Sequence, residues 1–328
     1  MGSHHRITTI LFTILLMIGK GFAFEDTLKV KGAAIPITQP DHRLFHPRWS
    51  PDGKMIAMTS DNYRGLWVMN SHGHNLMQLS EDERVGYGFQ WSSDSKEIAC
   101  RITKIIKKHR LSAIKVIEVS NGLSRLITDY RSLLGIPTWA DQDRQICFTV
   151  DDELQFNNSE RQVRQKTEPA DPDEIVLFQS YGRIIITDLK QRHKSILIDP
   201  DSRFLNTSLS PNRKKVAVEM TNGRIYVMNI DGTNIIDLGY GSHPRWSPTG
   251  KQLVYYVSRD DGHRVVDSDL FITNISGTRR LQLTNTKERI EMNPDWSPDG
   301  KTIVFDEYDT GIIFQIKVEE VHVVPPMR

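Results

Sequence analysis

Trp296-Ser297-Pro298-Asp299-Gly300-Lys301 is the stretch that decides the fold, because the chain keeps returning to it. Trp49 to Lys54 repeats the same six letters, and Trp246 to Lys251 reads WSPTGK. Weaker copies stand at Trp91 to Lys96 (WSSDSK), Trp139 to Arg144 (WADQDR) and Leu209 to Lys214 (LSPNRK). Successive copies lie 42, 48, 70, 37 and 50 residues apart. Strand-built repeats of about 40–50 residues point to the blades of a β-propeller.

Each letter has a physical role. Proline presets φ for a turn, Asp or Asn hydrogen-bonds nearby backbone N–H groups, and Gly accepts positive φ. The motif is therefore a tight hairpin corner, and the aromatic ahead of it ends an inner strand. The register persists beyond the turn. Five positions after the Trp (or Leu209) comes a base each time: Lys54, Lys96, Arg144, Lys214, Lys251 and Lys301. Seven positions after comes Ile56, Ile98, Ile146, Val216, Leu253 or Ile303.

The 328 residues are 25% charged and 38% hydrophobic, a globular mixture able to bury a sizeable core. Lys plus Arg number 42 against 41 Asp plus Glu, so no net field favours nucleic acid or an anionic membrane. The basic run Lys104 to Arg110 reads as a solvated face. At the start, Arg6 precedes an apolar run from Ile7 to Ile18, and Gly21 and Ala23 suit a cleavage site after Ala23. This is the pattern of a secretory signal peptide. The run falls short of the roughly 20 apolar residues of a membrane span, and no Cys follows it to carry a lipid. Cys100 and Cys147 sit nine and eight positions after their Trp residues, so strand alternation sends them to opposite faces as free buried thiols.

Apolar runs punctuated by Asn-Gly, Asp-Gly and Ser-Gly give four strands per repeat. The expected architecture is all-β: a six-bladed β-propeller of four-stranded antiparallel blades. The third blade is irregular, with a polar insertion at 151–174. The sixth lacks an outer strand, and Ile35-Pro36-Ile37-Thr38 matches the missing pattern, so an N-terminal strand should close the ring. The expected organisation is a signal peptide (1–23), a flexible tail (24–34), the propeller (35–320) and a C-terminal tail (321–328).

His46 to Lys54 (HPRWSPDGK), His243 to Lys251 (HPRWSPTGK) and Tyr226 to Asn234 (YVMNIDGTN) resemble the propeller repeats of the TolB family of bacterial envelope proteins. The resemblance covers about 35 to 318, the propeller only and not the α/β domain that TolB proteins carry ahead of it. It implies a periplasmic or secreted propeller, expected as a monomer, whose loop-rich face binds an envelope protein or peptide.

Inner strands line the central channel. Three positions before each Trp, the fifth, sixth and first repeats carry His243, Asn293 and His46; immediately before the Trp stand Arg245, Asp295 and Arg48. These six residues are the candidate channel-mouth site. Repeats related to these also occur in propeller lyases of uronic-acid polysaccharides, which use channel-mouth histidines with a metal. The alternative to a cofactor-free binding module is therefore a carbohydrate-active enzyme with His46 and His243 on a divalent metal. Against it stands the plainer reading that His-Pro is part of the repeat and hydrogen-bonds a neighbouring blade. No GxSxG elbow, HExxH or Gly-rich phosphate loop is present. Loops between second and third strands place Tyr63, Arg64, His263, Arg264 and Tyr308 on the loop-rich face, the expected docking surface. Export is testable directly: expressed in a Gram-negative host, the chain should yield a periplasmic product whose mass begins at Phe24, and an uncut cytoplasmic chain would refute the signal.

Overall fold

The computed structural model describes residues 25–161, 174–180, 183–190, 194–196, 203–287 and 289–323. The expected signal peptide, residues 162–173 of the expected insertion and residues 324–328 lie outside them. Apart from a single 3-10 turn at Asp61–Tyr63, every regular element among the described residues is a β-strand. No helix among them is long and apolar enough to cross a membrane.

The strands form a β-propeller of antiparallel blades, as the repeat predicts. The first sheet comprises Leu44–Trp49, Met55–Ser60, Leu66–Asn70 and Met77–Ser80, from the channel outwards. The second runs from Gln90–Trp91 to Ser124–Leu126, and two further four-stranded sheets span 204–240 and 242–282. The last is built from Glu291–Trp296, Thr302–Glu307 and Ile313–Val323, with Glu25–Pro36 outermost. Six motif-bearing units thus supply the ring.

The third unit departs from its expected form. Instead of one blade with a polar insertion, it opens into two three-stranded sheets. Thr138–Ala140, Gln145–Val150 and Glu153–Asn158 make one, and Ile175–Ser180, Arg183–Asp188 and Lys194–Ile196 the other. Residues 153–158, expected within the insertion, are a strand because the turn at Asp151 and Asp152, both at positive φ, folds them back onto Gln145–Val150. Among the described residues the six motif-bearing units thus hold seven hydrogen-bonded sheets.

The core lies between the sheets, and strand alternation explains why. Ile56 and Met58 pack with Val304 and Ile313 of the last sheet, while Ala57 between them packs with Ile98 and Cys100 of the second. Each pair of consecutive sheets has such a cluster. Ala99 meets Ile146 and Phe148, Cys147 meets Val176, and Ile184 meets Phe204 and Val216. Ala217 meets Trp246, and Val254 meets Trp296 and Ile303. Both cysteines are free and buried, Cys100 facing the preceding sheet and Cys147 the following one; burial pushes both thiols up to about 12.

The turn motif is held by its serine, whose role the sequence pattern leaves silent. Ser50 Oγ donates to Asp52 (2.7 Å) and accepts from the Met55 N–H (2.9 Å), while Asp52 also accepts from the Lys54 N–H (3.1 Å). Ser92, Ser210, Ser247 and Ser297 occupy the same place in their turns. The Gly position needs a left-handed backbone, at φ 71° in Gly53 and Gly300, and Ser95 and Arg213 adopt it without glycine's freedom. Three motif tryptophans then tie sheets together. Trp91, Trp139 and Trp246 donate their indole N–H to the carbonyls of Arg48, Gln90 and Ser208, each the residue before the equivalent motif in the neighbouring sheet.

The N-terminal closure extends further than expected. Ile35 and Pro36 pair with Gln315 and Phe314, but the strand reaches back to Glu25, opposite Val323. Residues 25–34, expected as a flexible tail, are thus an edge strand, and 321–323 belong to its partner. The reason is that Leu28 enters the core between the last two sheets (7% exposed) and Val30 and Ala34 pack against it. Deleting 25–36 would expose the edge of Ile313–Val323 and remove that apolar cover. Thermal melting of the truncated chain should fall by at least about 5 °C, whereas an unchanged transition would disprove the closure.

Candidate functional site

The channel end of three inner strands is shaped by one local device. His46, His243 and Asn293 sit in the left-handed region (φ 54°, 52° and 52°), and each is followed by a proline. At each place the pairing with the next strand slips, between Phe45 and Arg48, Ser242 and Arg245, and Met292 and Asp295. Proline has no N–H to give the ladder, so the slip is a β-bulge that loses little at that position. A non-glycine residue at such φ costs on the order of 1–3 kcal/mol and needs support. That support comes from acids on second strands of the preceding sheets. The His46 N–H donates to Asp306 (2.6 Å) and the His243 N–H to Glu219 (2.9 Å).

The bulges bring the six candidate residues together at one end of the channel. The imidazoles of His46 and His243 lie 6.0 Å apart between centroids. Tyr63 stacks on His46 (4.9 Å) and Tyr256 on His243 (5.5 Å). Tyr87 meets Tyr63 edge-on at 5.1 Å, and the Arg101 guanidinium lies over Tyr87 at 5.4 Å. A row of rings therefore crosses the mouth. Asn293, 5% exposed, donates Nδ2 to both oxygens of Asp306 (3.1 and 2.9 Å), and its buried Oδ1 has no close hydrogen bond, the His46 ring being its polar neighbour. Immediately before the tryptophans, Arg48 approaches Asp295 at 4.0 Å, and Asp295 accepts from the Trp49 N–H at 2.8 Å. Arg245 makes no hydrogen bond or ion pair among the described residues, and its buried Nε has no partner.

Burial dominates the electrostatics. It pushes His46 down to about 3 and His243 well below its ordinary value, with Arg48 and Arg245 adding to both shifts, so neither imidazole is charged near neutrality. Burial and the neighbouring Arg48 lower Arg245 to about 9, which leaves it cationic at pH 7. Burial raises Asp295 against the pull of both arginines, and it raises Asp306 to about 7.

Asp306 and Glu219 are spent on backbone N–H groups, and no three His, Cys, Asp or Glu side chains converge among the described residues. The loop-face candidates divide. Tyr63 turns into the channel mouth, carried there by its left-handed backbone (φ 59°), while Arg64 is exposed beside it. His263 and Arg264 are exposed on a turn whose N–H groups Asp261 caps, and Tyr308 is half exposed at 49%. The structure does not bring these three to the channel cluster. Sequence reasoning missed Glu219, Tyr256 and Asp306. All three stand ten positions after their motif Trp or Leu, the register at which Asp306 and Glu219 reach the next sheet's bulge and Tyr256 reaches that of its own sheet.

At the hairpin end lies a cavity of about 700 Å³, lined by Trp91, Trp139, Asp143, Glu174 and Arg213 among others. It occurs where the third motif copy has lost its Ser-Pro. Its charges are already matched, Asp143 by Arg161 (3.0 Å) and Glu174 by Arg213 (3.2 Å).

No family model matches the chain. It is similar to dipeptidyl-peptidase 5 of Porphyromonas gingivalis, 26% identical over 321 residues that cover 80% of this chain and 44% of that protein. The chain thus spans less than half the length of that relative. Among solved structures, a propeller-sized chain from the mitotic checkpoint complex superposes with a TM-score of 0.59 at 13% identity, covering 98% of this chain and 99% of that one. A putative TolB from Agrobacterium tumefaciens aligns at 17% identity over 85% of this chain and 91% of its own, with a TM-score of 0.49. At 13% identity the likeness to the checkpoint-complex chain speaks for the fold alone.

The raised Asp306 carries a signed consequence. Unfolded, it titrates near 3.8; folded, near 7, so the native state holds the proton more tightly between those values. Its contribution is present at low pH and is lost as pH rises through 7. Asp306→Asn removes it while leaving an oxygen for the His46 N–H. The stability of the variant relative to the parent should rise between pH 4 and 7 by up to about 1.4 kcal/mol per pH unit. Denaturant curves that stay parallel across that range would show that Asp306 titrates normally.

Proposed function

We propose that the chain is an exported, TolB-like β-propeller that binds a protein or peptide of the cell envelope at its loop-rich, channel-mouth face and performs no chemistry itself. The observation that carries this reading is the mouth itself. A row of packed rings, Tyr87, Tyr63, His46, His243 and Tyr256, borders Arg245, which no described residue holds by a hydrogen bond or ion pair. Aromatic and Arg side chains are the types that dominate protein-binding hot spots. The charged groups beside them hold the bulges in place rather than activating a nucleophile. The relative from P. gingivalis is named as a peptidase, and most of this chain aligns with part of it, which supports peptides as the ligand class.

Position-specific crosslinking tests the assignment of face. A photoreactive residue replacing Arg64, at the mouth, should capture a discrete envelope protein in cells. The same residue replacing Leu123, exposed on the hairpin side, should capture none. Equal capture from both positions, or capture from Leu123 alone, would overturn the proposal.

A further inference from the structure

The channel holds one cation more than it needs. Arg48 shares Asp295 and donates Nη1 to the Pro47 carbonyl (3.3 Å), so it has partners. Arg245 makes no hydrogen bond or ion pair among the described residues and its Nε is buried without a partner; Asp295, already drawn on by Arg48, attracts it only at longer range. It also lies close enough to Arg48 for the two charges to oppose each other. Asp306 does not compensate, because it is taken up by the His46 N–H and by Asn293. Both histidines are uncharged near neutrality and add no competing cation. Leaving a buried charged donor unsatisfied costs about 1–3 kcal/mol or more. Folds keep such a defect where it serves a ligand.

We infer that Arg245 is the anchor for a carboxylate of a bound peptide, which enters from the loop-rich mouth past the Tyr63 and Tyr256 rings. The inference rests on the peptide-binding reading above and specifies what that site selects. A carboxylate fits a guanidinium by two parallel hydrogen bonds. Asn293 Oδ1, buried at the same channel end beside the His46 ring, is an acceptor suited to the amide N–H that neighbours such a carboxylate in a peptide. An inorganic anion would leave that acceptor unused. The carboxylate can belong to a chain terminus or to an Asp or Glu side chain, and the two are separable by experiment.

Three probes serve with the mature chain in calorimetric titration: N-acetyl-tetra-alanine as the free acid, its C-terminal amide, and N-acetyl-Ala-Ala-Glu-Ala-amide. At least one of the two acids should bind saturably and at least tenfold more tightly than the neutral amide; which one does identifies the source of the carboxylate. Arg245→Gln should abolish that preference. The same substitution should leave the melting temperature of the free protein unchanged or higher, because it removes a charge that Arg48 repels and that no hydrogen bond or ion pair holds, and it leaves Asp295 to Arg48 alone. A guanidinium with a merely structural role would instead lower it. Equal binding of acid and amide would overturn the anchor while leaving a peptide-binding propeller intact. Absence of binding by all three peptides would overturn it as well, and crosslinking from Arg64 then decides separately whether the broader reading survives. D-glucuronate bound in preference to the peptide acids, and lost in Arg245→Gln, would make this a sugar-acid site.

Discussion

No sheet of this protein can bury its apolar side chains alone, because each has two apolar faces and only a neighbouring sheet covers either. Ile56, Ala57 and Met58 make the point in three consecutive residues, the outer two covered by the last sheet and the middle one by the second. Stability is therefore a property of the closed ring, and a gap at any seam would expose a whole face. Two features answer that demand: the N-terminal edge strand that completes the last sheet, and the tryptophan N–H bonds that cross from one sheet to the next.

The same demand produces the candidate site. Inner strands must converge on the channel, and the bulges at His46, His243 and Asn293 turn their N–H groups out of their own ladders. Asp306 and Glu219 take up two of those N–H groups, which couples sheets as it shapes the mouth. The histidines are thus structural through their backbones, while their rings remain available to the channel. Both the plain reading of His-Pro as a repeat element and the reading of a lined mouth hold for the same residues, on different atoms.

Charge in the channel follows from burial more than from pairing. Protein surrounds these groups on most sides, although the Arg48, Asp295 and His243 side chains keep 18%, 18% and 22% of their surface exposed; the imidazoles therefore stay neutral, Asp306 holds its proton to near neutrality, and the two guanidiniums oppose each other. An arrangement of this kind gains more from a ligand carboxylate than an exposed arginine would, because the guanidinium is already partly desolvated before the ligand arrives.

The sequence by itself determined the propeller. Turn residues act through their own φ preferences and neighbouring N–H groups, so WSPDGK can be read without knowing what surrounds it. Strand alternation likewise separated Cys100 from Cys147, and the matching pattern at Ile35 to Thr38 located the closure. The 70 residues between Trp139 and Leu209 hid a further sheet, because Ile175–Ser180 pairs and packs without the Trp turn that marks the others. The extension of the edge strand to Glu25 was equally hidden, since it rests on Leu28 meeting a cluster made by residues far along the chain. At the site, spacing before each tryptophan named His46, Arg48, His243, Arg245, Asn293 and Asp295. Only the tertiary structure decided that Arg48 has an ion-pair partner and Arg245 none, that Tyr63 belongs to the channel, and that Asp306 supports a neighbouring bulge. Those facts depend on contacts between sheets, and a local pattern specifies a strand's register within its own repeat but not which side chain of the next repeat it meets.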